Sequence, residues 1–270
     1  MIEAPIGVFD SGVGGLTVLR ALLAELPHEQ FIYLGDTARL PYGTKSPATV
    51  ARYAATAAAA LTRRGLKCLV VACNTASASS LPAIRRQLAG VPIVGVIEPG
   101  AQAACDASVS GHIAVIATEG TVNGRAYQEA ILRRRSDARV LAIATQLFVA
   151  LAEEGVVSGP IARAVARHYL AALAAPTPAA PDTLVLGCTH FPMLLEVIRA
   201  AVGARMRIVD SAATTAREVR QRIHSAGLAR HAGSSSVHFL ASDGAERFAR
   251  VGSRFLARPI AAADAEIIDL

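Results

Sequence analysis

Nine short apolar runs, separated by alanine-rich stretches of helical character, constrain this chain more than any other feature. The runs are "IGVFD", "QFIYLGD", "CLVVAC", "VPIVGVIEP", "HIAVIAT", "VLAIAT", "TLVLGC", "MRIVDS" and "VHFLAS". Each is rich in Val and Ile and continuous rather than alternating, the pattern of strands buried on both faces. Between them lie segments such as "LTVLRALLAEL" and "PATVARYAATAAAALTRRG". This rhythm predicts an α/β protein with mainly parallel sheets and right-handed crossovers.

Three landmarks recur in order. "GVFD", "VVACNT" and "VGVIEPGA" in the first half are echoed by "AVIAT", "VLGCTH" and "RIVDSAAT" in the second, at similar spacings. A duplicated α/β unit follows. The repeat predicts two similar domains related by pseudo-two-fold symmetry, one formed by residues 1–97 plus 210–270 and the other by 98–209. A ligand cleft should lie between them, lined by the carboxyl ends of strands from both sides. The proline-rich stretch 175–182 and "AGSSS" at 232–236 read as surface loops.

Composition excludes several classes. With 53% hydrophobic residues in 270, a large core is expected. Aromatic residues make up only 4% and Trp is absent, which argues against a stacking surface for nucleic acid. The +6 net charge is dispersed, and its densest cluster, Arg133 to Arg135, reads as a solvated helix face. The apolar stretches are interrupted too often to span a bilayer. The four cysteines show no C-x-x-C spacing, so a zinc site is not expected. No secretory signal opens the chain, which predicts a reducing, cytoplasmic setting with free thiols.

Two cysteines stand apart. Cys73 ends the run "CLVVAC", and the polar residues after it, from Asn74 and Thr75 on, should open a helix. Cys188 ends "TLVLGC", with Thr189 and His190 in the matching places. A helix N-terminus lowers a nearby thiol's pKa, so both read as reactive. Cys68 and Cys105 read as structural. At other strand ends stand Asp10 and Ser11 in "DSGVGG" and the loop "GDTARLPYGTKS" with Pro41, Tyr42 and Gly43, whose amides suit a carboxylate. "DSGVGG" lacks dinucleotide spacing and a Walker lysine. Glu153 lies late in a short helix, and His190 beside Cys188 is a candidate proton partner.

Two thiols in matched settings suit a nearly symmetric reaction, inversion of a carbon centre with one acid/base on each face. A disulfide oxidoreductase would keep its cysteines close in sequence, and a Cys–His protease needs one nucleophile. Lysine occurs only at Lys45 and Lys67, neither in a setting for pyridoxal phosphate.

Together "DSGVGG", "GDTARLPYG", "ACNTASA", "ATEGTV" and "GCTHFP" resemble the glutamate racemases of the aspartate/glutamate racemase family, from about residue 6 to "SDGAERF". The resemblance implies interconversion of L- and D-glutamate without cofactor or metal, supplying D-glutamate for peptidoglycan. It implies Cys73 as base toward the D-enantiomer, assisted by Asp10, and Cys188 as base toward the L-enantiomer, assisted by Glu153 and His190. Asp10, Ser11, Pro41, Tyr42, Gly43, Asn74, Thr75, Thr118, Thr121, Thr189 and His190 would hold the substrate. It also implies a homodimer, with no membrane and no nucleic acid as partner. An aspartate or related amino-acid racemase is the alternative, and DNA gyrase, which some members bind, a further candidate partner. The segment "ATQLFVALAEEG" departs from the family's usual "ACPLFVPLVEEG": Thr145, Gln146 and Ala150 stand where a Cys and two Pro are expected. That departure bears on the geometry around Glu153.

Overall fold

The computed structural model describes residues 2–88, 90–174 and 180–270, so most of the proline-rich stretch lies outside the described residues. Each of the nine runs contains a strand. The first part of the chain forms β1 (Ile6–Asp10), α1 (Leu16–Glu25), β2 (Gln30–Gly35), α2 (Pro47–Thr62), β3 (Cys68–Val71), α3 (Asn74–Gln87) and β4 (Ile93–Gly95). Next come α4 (Ile97–Ala107), β5 (His112–Ala117), α5 (Glu119–Asn123), α6 (Ala126–Arg134), β6 (Arg139–Ala144), α7 (Leu147–Glu154) and α8 (Gly159–Ala174). The last part forms β7 (Thr183–Gly187), α9 (Leu195–Val202), β8 (Arg207–Asp210), α10 (Ser211–Ser225), β9 (Ser236–Ala241), α11 (Ala245–Leu256) and β10 (Ala265–Ile267).

Two parallel sheets result, and their topology carries the repeat. The larger runs β10-β9-β2-β1-β3-β4 and the smaller β6-β5-β7-β8. The segment β2-β1-β3-β4 has the same order as β6-β5-β7-β8, with the first strand of each unit between its second and third. That arrangement puts a topological switch point between β1 and β3 and another between β5 and β7, where α/β sheets open a crevice at the strand carboxyl ends. β9 and β10 extend the larger sheet only.

Side chains alternate across the central strands with period two. Ile6 and Val8 of β1 join the core that contains α1, α10 and α11 and continues into the smaller sheet, while Phe9 turns to the core under α2 and α3. Gly7 lies on that second face, where a Cβ would fall 2.4 Å from Leu66. Fully burying each such Leu, Val or Phe contributes about 1.5–3 kcal/mol. α2 starts where Ser46 Oγ accepts the Thr49 N–H at 3.3 Å and Pro47 occupies the first turn, which lacks an intrahelical acceptor anyway.

Three expectations need correction. β6 is not buried on both faces: it is the edge of the smaller sheet, and Leu141 is 43% exposed. In "VPIVGVIEP" only Ile93–Gly95 pairs as strand, and the apolar remainder is already α4, because a short apolar run fits either element. Cys188 does not open an α-helix. Its chain closes a 3-10 turn, with Phe191 N–H donating to Cys188 O and Met193 N–H to His190 O, and α9 begins only at Leu195.

Candidate active site

The loops after six strands, three from each sheet, meet at one small cavity. Cys73 and Cys188 both line it, and both are buried. Cys73 is the N-cap of α3, and its Sγ accepts the Ala76 N–H at 3.4 Å and lies 3.5 Å from Ser11 Oγ. The helix amide favours a thiolate, as expected, but burial outweighs it. Burial, reinforced by the Asp10 carboxylate, pushes the Cys73 thiol up to about 12. At neutral pH Cys73 therefore keeps its proton.

Cys188 has a different neighbour. His190 Nδ1 lies 3.7 Å from its Sγ, and His190 Nε2 lies 3.0 Å from Glu153 Oε1. Burial opposes a charge on His190, yet the hydrogen bonds to Cys188 and Glu153 prevail and hold it up at about 10. Burial would also raise Glu153, but its bond to His190 and the nearby Arg247 guanidinium bring it below the usual range. Arg247 Nη2 donates to Glu153 Oε2 at 2.9 Å, and Arg254 Nη2 to Glu153 O at 2.6 Å. Both arginines belong to α11, packed beside the larger sheet, and were not singled out in the sequence. α11 thus holds Glu153 at both its carboxylate and its backbone carbonyl.

Asp10 stands at the end of β1, fully buried, directly behind the cavity. Gly12 N–H donates to Oδ2 at 2.9 Å, while Oδ1 has no partner among the described residues. Burial raises its pKa against the attraction of His190. The glycines of "DSGVGG" serve close packing. A Cβ on Gly14 would fall 2.4 Å from His190 Cε1 and from Thr189 Oγ1, so only glycine lets this turn approach the Cys188 segment.

The remaining walls are hydrogen-bonded across the two sheets. Thr75 Oγ1 lies 2.9 Å from Thr118 Oγ1 and 3.3 Å from Thr121 Oγ1, and Thr17 Oγ1 donates to Thr189 O at 2.9 Å. The loop bearing Pro41, Tyr42 and Gly43 is tied to buried Asp36, which accepts from Tyr42 OH, from Arg39 Nε at 2.8 Å and from Ser242 Oγ at 2.9 Å. A Cβ on Gly43 would meet Thr118 at 2.7 Å, so this loop too lies hard against the other sheet's half.

Of the residues singled out in the sequence, Ser11, Pro41, Tyr42, Gly43, Asn74, Thr75, Thr118, Glu153, Thr189 and His190 line the cavity with the two cysteines. Asp10 and Thr121 sit just behind it. Sequence reasoning missed Gln146 and Val149, which also line it, and Tyr127, whose hydroxyl donates to Asn74 Oδ1 at 2.8 Å. Gln146 was noted only as a departure, and a polar side chain at a strand's carboxyl end was the available signal. The cavity is small, about 30 Å³. A larger groove of about 770 Å³, lined by β4, α4 and α10, contains neither cysteine and none of Asp10, Glu153 and His190. Chemistry, not size, identifies the site.

Cys68 is buried inside β3, where burial pushes its thiol up to about 12, and Cys105 is half-buried in α4. Arg133 and Arg134 pair with Glu98 at the surface, as a solvated face would. Among the described residues no group of His, Cys, Asp and Glu side chains could hold a metal ion, and no helix is long and apolar enough to cross a membrane.

Comparison with known proteins gives the same direction. Residues 6–219 match the family model described as Asp/Glu/Hydantoin racemase. The glutamate racemase of Geobacter metallireducens is 50% identical over 93% of this chain and 92% of its own length. The crystal structure of the Francisella tularensis glutamate racemase in complex with D-glutamate has a TM-score of 0.92 and 33% identity, covering 100% of this chain and 98% of that one. The Thermus thermophilus glutamate racemase, in complex with β-chloro-D-alanine, has a TM-score of 0.88 and 42% identity, with coverage of 100% and 98%. This chain belongs to the Asp/Glu/hydantoin racemase family.

Proposed function

We propose that this protein is an isomerase that interconverts L- and D-glutamate, using Cys188 and Cys73 as the two proton-transfer groups and no cofactor. The observation that carries this reading is the placement of two cysteines at matched strand ends of two matched sheets, both lining one cavity. The likeness to glutamate racemases over nearly the whole chain supports the substrate.

For L-glutamate, the Cys188 sulfur takes the α-proton, with His190 as its counter-charge and Glu153 behind. The Cys73 thiol delivers its own proton to the opposite face, and a D-centre results. For D-glutamate the roles exchange. The unpartnered Asp10 Oδ1 is an acceptor suited to the substrate ammonium, and the unpartnered Asn74 Nδ2 is a donor suited to a carboxylate. Ser11, Thr75, Thr118, Thr121, Thr189 and the Tyr42–Gly43 loop complete the binding surface. Lys67 is held by Glu29, Ile2 O and Leu228 O, and Lys45 is not among the cavity-lining residues, so neither is placed for a Schiff base.

Both cysteines are buried, so the cleft opens for entry and closes for chemistry. The moving bodies are residues 1–97 plus 210–270 and residues 98–209, and closure keeps water from a carbanion-like state. The D-glutamate formed would supply peptidoglycan. The test is circular dichroism of purified protein with D-glutamate and, separately, D-aspartate, without added cofactor. Decay of the D-glutamate signal is expected. Turnover of aspartate alone, or a requirement for pyridoxal phosphate, would contradict the reading.

A further inference from the structure

Tyr127 touches no space that a substrate could occupy, yet it is bonded to a residue that does. Its ring is fully buried in α6, beside the smaller sheet. Two glycines make room for it. A Cβ on Gly100 would fall 3.1 Å from the Tyr127 hydroxyl, and one on Gly187 would fall 3.1 Å from the ring. Its hydroxyl crosses to the first turn of α3 and donates to Asn74 Oδ1 at 2.8 Å.

In this bond the hydroxyl donates, so the Asn74 amide presents its oxygen to Tyr127. An amide carries an acceptor at one end and donors at the other, and a half-turn exchanges them. With Oδ1 taken by Tyr127, Nδ2 is the free end. Nδ2 is buried, has no partner among the described residues, and belongs to a side chain lining the cavity beside Cys73. Such a donor costs stability until something accepts from it.

We propose that Tyr127 is a positioning residue that fixes the Asn74 amide with its NH2 group toward the substrate, where it donates to a carboxylate oxygen; this rests on the amino-acid racemase reading above. Without the tyrosine hydroxyl, the amide would present its oxygen to the carboxylate in part of the population, an arrangement of two acceptors. The effect is on binding of both enantiomers, because the amide acts on the carboxylate rather than on the transferred proton.

The experiment is a double-mutant cycle in the full chain, reading KM and kcat for D- and L-glutamate in the wild type, Tyr127→Phe, Asn74→Ala and the double variant. Tyr127→Phe should raise KM about 5- to 20-fold for both enantiomers, a part of what one charged hydrogen bond supplies because the amide is misoriented in only part of the population, and change kcat much less. In the Asn74→Ala background the same change should move KM less than about twofold, because the interaction it serves is already gone. An equal KM increase in both backgrounds, or a wild-type KM in Tyr127→Phe, overturns the proposal. Asn74→Asp keeps an acceptor for Tyr127 and removes the donor facing the cavity. It should raise KM with Tyr127 in place, and an unchanged KM in this variant overturns the proposal even where Tyr127→Phe is too unstable to assay. A wild type inactive on glutamate refutes the racemase reading itself, whereas an active wild type with an additive cycle refutes only the role of Tyr127.

Discussion

His190 reaches Glu153 with one ring nitrogen, at 3.0 Å, and Cys188 with the other, at 3.7 Å. The imidazole thus joins a half-buried carboxylate to a cavity cysteine. Its pKa, held up at about 10 against burial by its bonds to Cys188 and Glu153, keeps it charged at neutral pH. Glu153, lowered by His190 and Arg247, is its anion.

The pair makes stability depend on pH in a defined direction. A raised histidine contributes stability fully present below its ordinary value of 6.5 and lost as pH rises through about 10. A lowered glutamate contributes stability present above 4.5 and lost as pH falls through its depressed value. Glu153→Gln should therefore lower the Tm most between about pH 4.5 and 6.5 and least above pH 10. Its kcat at neutral pH should fall about 10- to 100-fold, the scale of a group that orients a proton carrier. Thermal unfolding of both proteins at pH 6 and pH 10.5 is the check, and an equal Tm gap at both values would contradict the pairing.

Gly14 is needed for space rather than for backbone freedom. A methyl group there would fall 2.4 Å from the His190 ring and 2.5 Å from its Nδ1. Gly14→Ala should displace the imidazole from Cys188 and cut kcat by about 100-fold, the scale of a misplaced proton carrier. Overpacking of this kind costs about 1–3 kcal/mol, so the protein should still fold. Steady-state kinetics with a thermal melt would show both, and near wild-type turnover would contradict the close approach.

Asp36 has no place in the cavity but holds one wall of it. It accepts from Arg39, Tyr42 and Ser242 while buried. Asp36→Ala leaves those donors without their shared acceptor and should destabilise the fold by about 2–4 kcal/mol. The Tyr42–Gly43 loop would then lose its anchor, and KM for glutamate should rise more than kcat falls. A KM unchanged from wild type would contradict the loop's role in binding.

The strands and the repeat were legible because they depend on local pattern. Val- and Ile-rich runs of fixed length reveal β1 and β7 whatever they pack against, and the matched landmarks around Cys73 and Cys188 revealed two units with one strand order. Features set by a distant partner were not legible. β10 is three residues long and is defined only by its pairing with β9. The exposure of β6 follows from its place at a sheet edge, which no run of apolar residues records. Nothing local marks Arg247 and Arg254 until α11 is placed beside Glu153. The thiol of Cys73 read as activated from its helix N-terminus, whereas burial, a property of the whole fold, reverses the direction.

The central claim is that the two thiols work on opposite faces of one carbon. Cys73→Ser and Cys188→Ser each replace a tunable thiol by a hydroxyl far too weak an acid to serve, so each should lose glutamate racemisation by about 10³-fold or more. Elimination from a glutamate carrying a leaving group on its β-carbon needs only one base: the α-proton is removed, the double bond forms and the leaving group departs with its electron pair. The most direct measurement is the rate of that elimination for both enantiomers with both variants. Cys73→Ser, which retains Cys188, should process the L-enantiomer, and Cys188→Ser, which retains Cys73, the D-enantiomer. The same preference in both variants, or near wild-type racemisation in either, would contradict the account and make Asp10, Glu153 or His190 the primary base.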